Sequence, residues 1–166
     1  MIMIEIVEMR KDEMSELLKQ LGYGHLGCSR NDQAYVVPVH FAYDEPLVYI
    51  YTTEGKKTEI IRANPKVCLQ AETVVDTHNW KSVIVTGDAE QVADAAERDK
   101  ALTMLTKRNP TMTPAVSLRW MDNWVRENIE AILRITPRMM TGRATVPQSE
   151  IDAPFAPDPS RRTTIF

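Results

Sequence analysis

The sequence has little of what usually announces a function. Its two cysteines, Cys28 and Cys68, are isolated from each other. They give no disulfide framework and fit a reducing, cytoplasmic setting. Neither sign of charge dominates: 20 Lys+Arg stand against 23 Asp+Glu, a net charge of −3. Nothing therefore pulls the chain as a whole toward nucleic acid or an anionic membrane, and any anion must be recognised locally. No apolar run approaches the roughly 20 residues a bilayer-spanning helix needs. The opening stretch "MIMIEIVEMRKDE" is interrupted by Glu5 and Glu8 and has no basic leader, so it does not read as a signal peptide. There is no Walker loop, Gly-rich dinucleotide fingerprint, nucleophile elbow or Ser-His-Asp order. His25 and Cys28 lie three apart, but no second ligand pair completes a zinc site. Internal repeats and low-complexity tracts are also missing.

What is there is ordinary globular material: 166 residues, 43% hydrophobic and 26% charged, enough for one domain with a sizeable core. "DEMSELLKQLG" predicts a helix with Asp12 as its cap, Leu17, Leu18 and Leu21 on one face and Gly22 as its stop. "GHLGCS" and "QAYVVPVHFAY" then read as extended, and "LVYIYTT" returns as a hairpin partner after the "DEP" turn. Pro38 cannot donate to a ladder, which puts it on an edge or a bulge. A short helix follows over residues 56 to 64, with Ile60 and Ile61 inward. "KVCLQAE" and "SVIVTGDAEQV" are two more strands, joined by "TVVDTHNW", and Gly87 marks a bulge. "ADAAERDKALTMLTKR" is the clearest helix, with Ala95, Leu102 and Leu105 on one face and Asn109-Pro110 at its end. Another helical stretch, "AVSLRWMDNWVREN", carries Trp120 and Trp124, which read as core or interface packing. A last strand alternates Ile129, Ala131, Leu133 and Ile135 against Glu130 and Arg134. From Pro147 the Pro-rich sequence has no apolar period, which divides the chain into a domain over 1–146 and an extended tail over 147–166.

Six short, mostly antiparallel strands with a few helices predict a mainly β fold, a six-stranded split barrel flanked by helices. The strand "AYVVPVHFAY" is apolar on both faces: Tyr35, Val37, Val39, Phe41 and Tyr43 on one, Ala34, Val36, Pro38 and Ala42 on the other. One face fills the barrel. The second requires a helix, a ligand or another subunit, and a homodimer with ligands at its interface satisfies that requirement most simply.

One stretch raises a chemical question. In "YTTEGKKTEIIRANPKV", Lys56 and Lys57 stand where a helix begins, at the end that already carries unpaired N–H groups and partial positive charge. A bound anion would turn that arrangement from unfavourable to favourable. Read blandly, the pair is only a solvated surface feature.

The order of these motifs resembles the FMN-binding split-barrel family related to pyridoxamine 5′-phosphate oxidase, over roughly residues 10 to 142. The strand with "VPV", the hairpin, Thr-Thr, Gly-Lys-Lys, the helix, Asn-Pro-x-Val, then aromatic-Lys-Ser-Val and Gly-x-Ala carry the resemblance. Its nearest branch looks like the nitroimidazole-resistance flavoproteins. The resemblance implies that Lys56 and Lys57 grip the flavin phosphate, with Thr52 and Thr53 donating hydroxyls. It also implies that the ring lies along Val36, Val37, Pro38, Val39 and His40, and that Lys81 and Ser82 approach it from a neighbouring strand. Lys81 would then stabilise negative charge on the reduced ring. His40 is the only polar residue on its strand face; a structural role is the default for it and a catalytic acid the alternative.

The sequence also departs from the oxidase itself. It ends in "RRTTIF" instead of Arg-Leu-x-Pro, which argues against vitamin B6 oxidation. Its phosphate loop is a residue shorter, with Lys56 standing in for the missing Ser-Arg. The expected cofactor is FMN, or FAD, and the expected protein a cytoplasmic homodimer with flavin at the subunit interface. It would reduce a small, nitroaromatic-like acceptor with electrons from a reduced nicotinamide and bind neither nucleic acid nor membrane. The alternatives are a flavin carrier without turnover, or a split barrel holding haem or a deazaflavin.

Overall fold

The computed structural model describes residues 4–109 and 130–146, and the backbone of 162–163. In chain order the elements are β1 (Glu5–Glu8), α1 (Lys11–Gln20), β2 (Tyr23–Arg30), β3 (Gln33–Asp44), β4 (Leu47–Thr53), α2 (Lys56–Ala63), β5 (Lys66–Asp76), β6 (Asn79–Gln91), α3 (Ala95–Arg108), β7 (Glu130–Val146) and β8 (Arg162–Thr163). Every strand pairing is antiparallel. The order β4-β3-β2-β5-β6-β7 closes on itself through β4–β7, giving the expected ring of six strands, and β1 and β8 extend the sheet beyond β7. The expected helix with Trp120 and Trp124, and the tail from Pro147 apart from β8, lie outside the described residues.

Inside the ring, alternate residues of each strand meet in one core: Leu26, Phe41, Ile50, Leu69, Val83, Val85 and Ile135 are each fully buried. Helix α1 closes one end with Met14, Leu17 and Leu18, and α2 packs Ile60 and Ile61 into the same core. A second cluster lies outside the ring, where Ala101 and Leu105 of α3 cover Ala42, Tyr49, Tyr51 and Ile132. Strand β7 therefore buries Ala131, Ile132 and Leu133 in succession, which simple alternation does not anticipate.

Several boundaries differ from the sequence reading. Helix α1 is capped at Arg10, whose N–H donates to Glu13 Oε2 at 2.7 Å, so Asp12 sits in the first turn and Glu13 supplies the capping carboxylate. "TVVDTHNW" is mostly strand: β5 and β6 continue through it to a turn at Thr77 and His78. Ala95 is exposed, so the buried face of α3 runs through Ala101 and Leu105, with Leu102 packed beside it. The bulge at Gly87 is present as a register shift against β7, and a Cβ there would lie 2.2 Å from the Thr136 carbonyl oxygen. Pro38 is also on an edge, because β3 pairs with β4 only from His40 to Asp44.

Candidate functional site

The loop from β4 into α2 is organised around Glu54. Arg62 Nη2 donates to both its carboxylate oxygens at 2.7 and 2.8 Å, Gln91 Nε2 at 3.0 Å and the Thr58 hydroxyl at 2.9 Å. Burial alone would raise the Glu54 carboxyl; the bonds from Thr58, Arg62 and Gln91 overcome that and hold it below the usual carboxylate range. The Gly55 N–H donates to Thr58 Oγ1 at 2.9 Å, tying the loop to the first turn of α2. Glu54 is thus fully engaged away from the two lysines that follow it.

Neither Lys56 nor Lys57 has an ion pair among the described residues. The exposed Lys56 extends over the ring of Tyr35, with Nζ 4.9 Å from its centroid. Lys57 is half-buried; burial pushes its ammonium below the ordinary lysine value, against the pull of Cys28 and Glu54. The thiol of Cys28, on the barrel side of β2, is pushed up by burial. Two cations without an ion pair among the described residues thus stand at the first turn of α2 beside its first N–H groups, an arrangement that suits a phosphate.

Beside this grip runs an uncovered apolar strip. Val36, at 64% exposure, and the exposed Pro38 lie on the outer face of β3, with His40 half-buried beyond them. Val37 and Val39 point into the barrel, so only their backbone can meet a molecule lying on the strip. The two threonines divide in the same way. Thr52 turns inward and is buried, while Thr53 shares the outer face with Tyr51, the cross-strand partner of His40.

The imidazole of His40 is held by a residue that the sequence reading treated only as a helix end. Asn109 Nδ2 donates to the carbonyls of Phe41 and Leu105, both at 3.3 Å. Its Oδ1 therefore accepts from His40 Nδ1 at 2.9 Å, and Nε2 is left buried with no hydrogen-bond partner among the described residues. The helix-ending Asn was visible in the sequence; its pairing with a residue 69 positions earlier was not.

Lys81 and Ser82 are not beside this strip. Strands β2 and β5 stand between β3 and β6, and the two side chains point to opposite faces. Ser82 shares the outer face, where its hydroxyl accepts from Gln70 Nε2 at 3.1 Å, and Gln70 Oε1 meets His25 Nδ1 at 3.3 Å. Lys81 lies in line with Val83 at the barrel end and is exposed. A cleft of about 600 Å³ adjoins Ser82, between Met9, Met14, Trp80, Met140 and Arg143, well apart from the lysines. His25 and Cys28 face opposite sides of β2, and no group of three His, Cys, Asp or Glu side chains among the described residues is placed to hold a metal.

With this geometry in view, the comparisons are decisive for the family. The model of pyridoxamine 5′-phosphate oxidase matches residues 10–144. The chain belongs to that family. An uncharacterized protein of Rhizobium meliloti is 32% identical over 104 residues, which cover 60% of this chain and 69% of that protein. The crystal structure of an FAD-binding protein from Mesorhizobium loti superposes with a TM-score of 0.70 at 28% identity, over 87% of this chain and 99% of that one. A candidate 5-nitroimidazole antibiotic resistance protein from Bacteroides thetaiotaomicron shares the fold alone, with a TM-score of 0.65 at 19% identity over 86% and 89% of the two chains. The nitroimidazole-resistance branch is therefore one distant structural neighbour among several. Within this pyridoxamine 5′-phosphate oxidase-family chain, the matched region holds both lysines and the six-stranded ring except the last two residues of β7. No helix among the described residues is long and apolar enough to cross a membrane.

Proposed function

We propose that the chain is a flavin-binding oxidoreductase that works as a homodimer. It takes electrons from a reduced nicotinamide and passes them to a small, nitroaromatic-like acceptor. The observation that carries this reading is the pair Lys56 and Lys57, without an ion pair among the described residues while Glu54 is fully engaged, beside the apolar strip of Val36 and Pro38. The lysines and the α2 N–H groups would hold the flavin phosphate, and Thr53 and the β3 backbone would orient the ring. His40, its Nδ1 held by Asn109, would bound the end of the strip. When bound, the flavin supplies the hydride and electron transfer; the protein's part is to bind, orient and exclude water. Support for the dimer comes from Val36 at 64%, Met139 at 58% and Ile84 at 41% exposure on one outer face, a surface a second copy would cover. The FAD-binding relative from Mesorhizobium loti supports a flavin ligand and opens the choice between FMN and FAD.

The test begins with the absorption spectrum of the protein after flavin is added and the sample desalted. A retained two-band flavin spectrum is expected; a Soret band or no retained chromophore would end this reading. Lys57→Ala should then weaken FMN far more than riboflavin, since only FMN carries the phosphate, with a loss of about 1.5–3 kcal/mol. Equal loss for both ligands would remove the lysines from the site.

A further inference from the structure

The loop that supplies the two lysines also carries an acid. Glu54 lies two residues before Lys56 and three before Lys57. Its charge already reaches the second lysine: burial lowers the Lys57 ammonium, and Cys28 and then Glu54 pull it back up. A Glu54 carboxylate paired with Lys57 would have to be displaced before a phosphate could use that cation. Lys57 has no ion pair among the described residues, because Glu54 is held by other partners.

Those partners come from three elements. Arg62, in the last turn of α2, donates Nη2 to Glu54 Oε1 and Oε2 at 2.8 and 2.7 Å and to Gln91 Oε1 at 3.0 Å. Gln91, the last residue of β6, closes the triangle by donating Nε2 to Glu54 Oε1 at 3.0 Å. From the first turn of α2, the Thr58 hydroxyl adds a bond of 2.9 Å to Oε2. Of these three partners only Arg62 is charged, so only Arg62 offsets the charge of Glu54. The Glu54 and Arg62 side chains are 28% and 55% exposed, and an ion pair that open adds little to folding. Its larger effect is on where the carboxylate sits.

We propose that Arg62 is a positioning residue for the phosphate grip: by holding Glu54 it keeps that carboxylate off Lys57 and leaves the lysine to the flavin phosphate. The inference rests on the flavin reading above. Without Arg62, Glu54 keeps only the uncharged donors of Thr58 and Gln91, and a turn toward Lys57 exchanges them for an ammonium. Glu54 is then a competitor built into the loop, and Arg62 decides whether it competes.

The experiment titrates the full-length apoprotein with FMN and with riboflavin, in the wild type, in Arg62→Met, in Glu54→Gln and in the double variant. Arg62→Met is expected to weaken FMN on the order of tenfold, the effect of one lost charge-assisted contact, and riboflavin by less than about twofold. The double variant should return FMN to within about twofold of the wild type, because an uncharged amide at position 54 no longer competes for Lys57. Unchanged FMN binding in Arg62→Met, equal weakening of both ligands, or no recovery in the double variant would overturn the proposal and leave the flavin reading standing. So would a Glu54→Gln variant that binds FMN about tenfold more tightly than the wild type, since Glu54 would then compete even with Arg62 in place. If the wild type holds FMN no better than riboflavin, the phosphate grip itself falls and takes this proposal with it.

Discussion

Strand β3 carries small apolar residues on its outer face on either side of His40, yet the two halves meet different fates. At one end, Ala42 lies under α3 with Tyr49, Tyr51, Ile132 and Leu105, in a cluster as well buried as the barrel interior. At the other, Ala34, Val36 and Pro38 are exposed, and farther round the ring β6 and β7 carry exposed Ile84 and Met139. The covered half is also clamped by charge. Arg134 Nη1 donates to Glu97 Oε1 and Oε2 at 2.6 and 2.8 Å, its Nη2 pairs with Glu90, and the Tyr49 hydroxyl donates to Glu97 at 2.8 Å. The difference teaches that residues of one chemical type can serve stability or recognition, and that the position of α3 decides which.

The comparison can be broken most severely from the covered side. Ile132→Ala, 1% exposed beneath α3, should destabilise the protein by about 2–5 kcal/mol in chemical denaturation. Val36→Ser on the bare half should change stability by only about 0.5 kcal/mol or less, while weakening flavin retention and the dimer. Comparable destabilisation by the two would mean that the bare half is covered within the monomer.

A smaller effect should come from the clamp, read through pH. Arg134 first and Tyr49 second hold the Glu97 carboxyl below its ordinary range. A depressed folded value means the contribution is complete above the unfolded glutamate value, near 4.3, and is lost as pH falls through the folded one. The melting temperature should therefore fall below about pH 4 more steeply in the wild type than in Glu97→Gln. On the alkaline side, the Tyr49 hydroxyl is pushed up to about 12, by burial and then by Glu97. That contribution is complete below the unfolded tyrosine value near 10 and is lost as pH rises through the folded one. The smallest signal is thus a late phenolate step near pH 12, absent from Tyr49→Phe; a difference between the two proteins near pH 10 instead would mean that Tyr49 ionises freely.

The ring of strands was legible because its information is local. Alternation in "QAYVVPVHFAY", the turn residues after it and the glycine of the bulge each act over a few positions, and all led to elements that exist. The placement of Lys56 and Lys57 at a helix start was legible for the same reason, since α2 begins at Lys56. What escaped was set by packing, by competition for a cap and by which face a side chain takes. Ala95 looks like core on a helical wheel, but the sheet meets α3 through Ala101 and Leu105. Arg10 caps α1 because Glu13 reaches back to its N–H, although Asp12 is the better capping residue by type. Lys81 and Ser82 are consecutive, and a strand sends consecutive side chains to opposite faces.

Strand β7 has 17 residues and joins β4 through its first half while running along β6. It is also the last stave of the ring to leave the ribosome. Until residue 130 emerges, the nascent chain holds five of the six strands with β4 and β6 as open edges, each lined by unpaired backbone groups. An interrupted translation product would thus be a sticky half-barrel, dependent on chaperones in a way the finished ring is not.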